Sequence, residues 1–281
     1  MKLSATSVMM PHLDLRQTFG LLSELGYDGV ELRVRRLPPE RANEEPSPWG
    51  RHLTDLSPEN ILERSEEVKS VATEFGLKIP AFASACNAGD LEQVKLLSEG
   101  AKAVGCPAIR LSCRGYDGTI NYHTLYQEAV KNYEKAIEIT SSYGIRVLVE
   151  MHAGTIHPSA SLAYRIVSNF DAKYIGVIYD PQNMVKDGFE TIQIAFELLG
   201  DYLAHIHAGA HRPYPNEPNE KGIVTWSWKA CSLREGLYDF PKMVECLRKV
   251  DYQGFISIED FRSDISTEEK LKDAVDYFRN L

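Results

Sequence analysis

Eight short runs rich in Val, Ile and Leu recur along the chain. They lie near residues 2–8, 28–34, 78–84, 108–113, 145–150, 174–180, 203–208 and 254–259. Each is followed by a stretch long enough for a helix, with helical patterns near 14–25, 58–75, 90–104, 122–143, 159–169, 187–200, 239–250 and 266–280. Alternation of this kind implies parallel strands, because a parallel pair needs a long crossover and a helix supplies it. Eight such units in 281 residues predict an α/β fold, the closed (β/α)8 TIM barrel, rather than an open doubly wound sheet. No Gly-x-Gly-x-x-Gly follows the first run, so a dinucleotide fold gains no support.

Local chemistry agrees. Asp90, Ser159 and Thr267 stand at or just before three helix starts as expected caps. Gly26, Gly76, Gly105, Gly144 and Gly200 sit where helices should stop. No linker or low-complexity tract divides the chain, so residues 1–281 read as a single barrel domain. Two connections are long, 35–57 and 209–238. Both follow a strand, which places them on the C-terminal face, where barrel active sites sit.

An apolar fraction of 43% with 25% charged residues excludes a largely disordered chain. Lys and Arg total 31 against 40 Asp and Glu, a net charge of −9 that repels phosphate backbones, so no nucleic-acid partner is expected. The five cysteines form no Cys-x-x-Cys pair and read as reduced thiols. The opening MKLSATSVMMPHLDLR lacks an apolar core of signal-peptide length, and no run of about 18 apolar residues occurs. The expectation is a cytoplasmic protein with no membrane partner.

The strand ends carry the chemistry. The fifth strand ends at Glu150, the sixth at Asp180, and the eighth at Glu259-Asp260; the seventh contains His205 and His207. A charge ending an apolar strand is costly unless it is paired, solvated or bound to metal. Three acids and one imidazole from consecutive strands suit one divalent ion such as Mn²⁺, Co²⁺, Mg²⁺ or Zn²⁺. His205 and His207 are two apart and face the same side. His207 is nearer the rim and is the better ligand; His205 reads as a hydrogen-bonded core histidine.

At these residues the sequence resembles the xylose isomerase-like TIM barrels, the sugar isomerase and epimerase superfamily. The likeness spans essentially the whole chain and includes GYDGVEL of the second strand, HIHAG of the seventh and REGLYDFPKMVECLRKVDYQGFISIED at the end. It implies Glu150, Asp180, His207 and Glu259 as metal ligands. Where many relatives carry a substrate-touching His three residues after the Asp, this chain has Asn183, which can still hydrogen-bond a hydroxyl. Ketose 3-epimerases carry a second Glu where Ile156 stands here, and an Arg near the place of Arg212.

Glu150 and Glu259 are then the expected acid and base in proton transfer through a metal-stabilised enediolate. His152, Arg114, Asn183, Arg212, Lys229 and Trp228 are expected to contact the substrate, with Glu31, Arg33, Asn87 and Trp226 at neighbouring positions. The expected activity is isomerisation or epimerisation of a sugar, ketose or related polyol. The alternative is a dehydratase of a keto-inositol or dehydroshikimate-like substrate, which uses the same enediolate but expels a β-hydroxyl. A non-catalytic ligand-binding barrel is a third reading. A repair phosphodiesterase would need His where Arg33, Asn87 and Asn183 stand. The loop-rich rim suits pairing of copies, so a homodimer or homotetramer is expected.

Overall fold

In a computed structural model describing residues 1–281, eight parallel strands close into a barrel wrapped by helices. The chain runs β1 (Lys2–Thr6), α1 (Leu15–Glu24), β2 (Gly29–Arg33), α2 (Ser65–Glu74), β3 (Phe82–Ala83), α3 (Leu91–Val104), β4 (Ala108–Arg110), α4 (Tyr122–Tyr143), β5 (Arg146–Glu150) and α5 (Ala160–Val167). It continues through β6 (Ile175–Tyr179), α6 (Pro181–Asp187), α7 (Ile192–Leu199), β7 (Leu203–Ala208), β8 (Ala210–Pro215), β9 (Trp226–Cys231), α8 (Phe240–Lys249), β10 (Phe255–Ile258) and α9 (Thr267–Arg279). Around the barrel the order is β1, β10, β7, β6, β5, β4, β3, β2. No helix is long and apolar enough to cross a membrane.

Strand parity explains where the polar groups go. Alternate residues of a strand face opposite sides of the sheet. Val147 and Val149, Val177 and Tyr179, Ile206 and Ala208, and Ile256 and Ile258 pack into the main core between sheet and helices. Their neighbours face the barrel axis. There Ala81, Ala108, Leu148 and Ile178 form a separate small apolar layer. Two residues further along β4, β5 and β6 the same parity brings Arg110, Glu150 and Asp180 inward. The axis is therefore plugged below and polar above, and the polar end is the C-terminal face.

Several elements differ from the sequence expectation, each for a local reason. β3 and β4 are short because Pro80 and Pro107 precede them and lack the N–H a ladder needs. The expected helix over 187–200 begins only at Ile192, because α6 forms first, with Asp180 as its cap and Pro181 at its first position. The expected helix over 58–75 is regular only from Ser65; residues before it form turns. Asp90 and Ser159 do cap α3 and α5. Thr267 does not cap α9: Ser266 does, in a capping box with Glu269, and Thr267 is the first helical residue. The long connection after β7 is not irregular throughout. It folds back as the antiparallel hairpin β8–β9, pairing Ala210 with Cys231 and Pro215 with Trp226.

Candidate metal centre

Glu150 ends β5, Asp180 follows β6, His207 lies in β7 and Glu259 follows β10. Four neighbouring strands thus converge on one buried point, where one ligand atom from each lies within 4.8 Å of the others. His207 Nδ1 is 2.9 Å from Glu150 Oε1, 3.4 Å from Glu259 Oε2 and 3.8 Å from Asp180 Oδ2.

Three of these four side chains, those of Glu150, Asp180 and His207, are held from behind. Arg110 Nη1 donates to Glu150 Oε2 at 2.8 Å, while its Nε donates to the Ser84 carbonyl at 3.0 Å. Asp180 accepts the Asn183 backbone N–H at 3.1 Å and its Nδ2–H at 2.5 Å. Asn183 is therefore placed to orient Asp180. On its far side the His207 ring points Nε2 at Glu31, 3.1 Å from Oε2 and 3.2 Å from Oε1. His205 Nε2 meets the same carboxylate at 3.2 Å. Glu31 is fully buried and serves both imidazoles. Although Glu31, His205 and His207 approach closely enough to hold an ion of their own, these are hydrogen-bond distances and they occupy Glu31 completely.

This arrangement sets the tautomer that a neutral His207 ring adopts. With the Nε2–H donated to Glu31, a neutral His207 ring turns its Nδ1 lone pair toward the cluster. That atom is buried and has no aligned hydrogen-bond partner, yet three carboxylates surround it. A lone pair facing anions is repulsive unless a cation stands between them. The donor set, three carboxylate oxygens and one imidazole nitrogen, fits a divalent ion, and the Glu31–His207 contact is the outer carboxylate that metal-bound histidines ordinarily carry.

Without such an ion, protons must compensate. Burial pushes the Glu259 carboxyl up to about 8; His207 opposes this, while Glu150, Glu31 and Asp180 reinforce it. Burial would lower His207, but Glu259, Glu31, Asp180 and Glu150 outweigh it and hold the ring well above its ordinary range. Burial would likewise raise Glu150, but Arg110 and then His207 keep it ionised far below the usual carboxylate range. Metal ligands bind deprotonated. Below about pH 8 an incoming ion must expel the Glu259 proton, and protons compete harder as pH falls. Manganese affinity is therefore expected to weaken from pH 8 to pH 6, by about tenfold per pH unit for each proton displaced. Calorimetry in buffers of different ionisation enthalpy reads that proton release directly. An affinity that does not change with pH would contradict this account.

Beside Glu150 lies a cavity of about 220 Å³ lined by Ser84, Arg110, Cys113, His152, Thr155 and His157 among others. Its size suits one small polar ligand. Of the expected substrate contacts, His152 lines it. The others stand elsewhere. Arg114 is exposed on the connection after β4. Arg212 Nε donates to the Tyr214 hydroxyl at 2.5 Å, and Arg212 and Lys229 both lie over the Tyr214 ring, at 4.9 and 4.6 Å. Trp228, on the opposite face of the hairpin, packs against the main core. The sequence reading did not single out Arg110. Its signal was present: a cation at an inward position of an otherwise apolar strand.

The model of the xylose isomerase-like TIM barrel family matches residues 19–281. An uncharacterised protein of Methanocaldococcus jannaschii is 26% identical over 144 residues, covering 49% of this chain and 45% of that protein. This chain thus matches less than half the length of that curated relative. Among solved structures, the probable 3-DHS dehydratase AsbF of Bacillus anthracis superposes with a TM-score of 0.75 at 16% identity, covering 100% of this chain and 99% of that one. The E. coli 3-keto-D-glucoside 4-epimerase YcjR gives 0.73 at 16% identity over 100% of both chains. IolI, solved with a bound zinc atom, gives 0.75 at 15% identity over 100% and 97%. At these identities the likeness is one of fold. Matched from residue 19 to its last residue, the chain belongs to the xylose isomerase-like TIM barrel family.

Proposed function

We propose that residues 1–281 form one barrel domain that transfers a proton between carbons, or between faces of one carbon, in a hydroxy-ketone or aldose. Glu150, Asp180, His207 and Glu259 would hold one divalent ion. The observation that carries this reading is the buried Nδ1 of His207, without an aligned hydrogen-bond partner, among three carboxylates. When bound, such an ion polarises a carbonyl and its neighbouring hydroxyl and acidifies the C–H between them.

The two glutamates are unequal. Arg110 locks Glu150 as an anion, whereas burial among other carboxylates makes Glu259 the more basic of the two. Environments that separate two carboxyls in this way assign acid and base roles. Glu259 is the group that takes and returns the proton. Glu150 approaches from β5, three strands away around the barrel with β6 and β7 between, and as an anion would accept a proton on the other side. Action from two sides is what epimerisation requires. His152 and the hydroxyls of Ser84 and Thr155 line the cavity where the rest of a polyol would lie.

The dehydratase reading keeps one specific support. Once Glu259 has taken a proton from the substrate, it could deliver that proton to a departing hydroxyl as readily as to carbon. Incubation of manganese-loaded protein with ketoses and inosose-type ketones in D₂O separates the two. Carbon-bound deuterium in an isomer or epimer supports proton transfer. An unsaturated product that has lost water supports the dehydratase. Neither product from any such substrate would overturn the enzyme assignment.

A further inference from the structure

Two arginines of the same rim remain unused. Glu31, Arg33 and Arg35 alternate along β2 and its extension, so all three face the axis. Glu31 is occupied by the imidazoles. Neither arginine forms an ion pair, and their side-chain hydrogen bonds go only to carbonyl oxygens: Arg33 Nη2 to Gly50 at 2.8 Å and Arg35 Nε to Ala83 at 3.1 Å. Arg33 is 4% exposed and its buried Nε has no partner. Arg35 is half-buried, with both Nη groups free, and its guanidinium lies 5.6 Å from the Trp49 ring. Trp49 in turn packs on Phe261 at 5.0 Å, two residues beyond Glu259. Buried His52 adds an unpartnered Nδ1 beside them.

Position ties this patch to the reaction site. Arg35 and Arg110 hang by Nε from consecutive carbonyls, Ala83 and Ser84. Arg110 holds Glu150 and lines the cavity; Arg35 stands next to it with nothing to hold. Burial, then the neighbouring Arg110 and Arg33 charges, press Arg35 down to about 9, although Glu259 and Glu150 pull the other way without pairing with it. Burial and Arg41 do the same to Arg33, down to about 10. A desolvated guanidinium is costly without a counter-charge, and a free fork stacked on an indole matches a planar carboxylate or a phosphate.

We propose that Arg35, backed by Arg33, is an anion-recognition subsite, so that the substrate carries a carboxylate or phosphate group beside its hydroxy-ketone. This rests on the proton-transfer reading of the metal cluster and narrows its substrate class. A neutral ketose would leave both cations unmatched.

The test is calorimetric titration of the manganese-loaded full chain with gluconate, inorganic phosphate and neutral glucitol. At least one anion is expected to bind, and Arg35→Gln to weaken it by about tenfold or more, the scale of a hydrogen-bonded charge. Glucitol binding should not change. Arg35→Lys, which keeps the charge but loses the fork, should fall between. A preference for gluconate assigns a carboxylate; a preference for phosphate assigns a phosphoryl group. If Arg35→Gln binds both anions as the wild type does, or the wild type binds neither, the subsite is overturned. Manganese content is measured on each sample, and the titrations are repeated on metal-free protein. A chain that holds no manganese would sink the proton-transfer reading while leaving the anion result readable on its own.

Discussion

Glu259→Gln is expected to lower deuterium exchange into substrate by about 10²–10⁴-fold, the usual contribution of a positioned acid–base group. Gln keeps the shape and one ligand oxygen but can neither take nor hold a proton. Burial makes Glu259 the more basic of the two glutamates, so its loss should remove the exchange rather than shift it. Glu150→Gln should cost a similar factor and also stability. It leaves the guanidinium of Arg110 buried beside a neutral amide, and breaking a buried ion pair from one side costs about 3–5 kcal/mol. The two variants therefore separate: both lose exchange, but Glu150→Gln melts markedly lower. Full exchange by either variant would remove that residue from the proposed mechanism.

Glu31→Gln is expected to weaken divalent-metal binding by about 10–100-fold, although Glu31 is no ligand in this account. The carboxylate accepts from His205 and His207 at once. A Gln can accept through one oxygen only, and its NH₂ then faces a second N–H donor. One imidazole must turn or change tautomer, and either change misdirects the His207 lone pair. Competition against a fluorescent chelator measures the loss. Wild-type affinity in Glu31→Gln would mean that the His207 ring is oriented by packing alone.

Much of this was legible in the sequence, and the limits have physical causes. The barrel follows from eight apolar runs separated by helix-length stretches. Glu150, Asp180 and Glu259 stand out because each ends an apolar strand at a position whose parity points inward. His207 stands out from His205 by one layer. The role of Glu31 was not readable, because it depends on a contact 176 residues away across the barrel axis. Arg110 and Glu150 are likewise joined over 40 residues. Arg114, Arg212 and Lys229 follow strand ends and so read as substrate contacts, but position in a loop does not give direction. The hairpin turns Arg212 and Lys229 onto Tyr214 instead. Trp228 alternates to the core side of the same hairpin for the reason that its neighbour Lys229 does not.

The central claim is that one divalent ion sits among Glu150, Asp180, His207 and Glu259. Mass-spectrometric metal content after loading with manganese, cobalt or zinc tests it most directly. One tightly bound ion per chain is predicted, absent in Asp180→Ala while that variant remains folded. No ion under any loading, or undiminished binding by Asp180→Ala, would contradict it and reduce the four residues to a buried proton-bridged network.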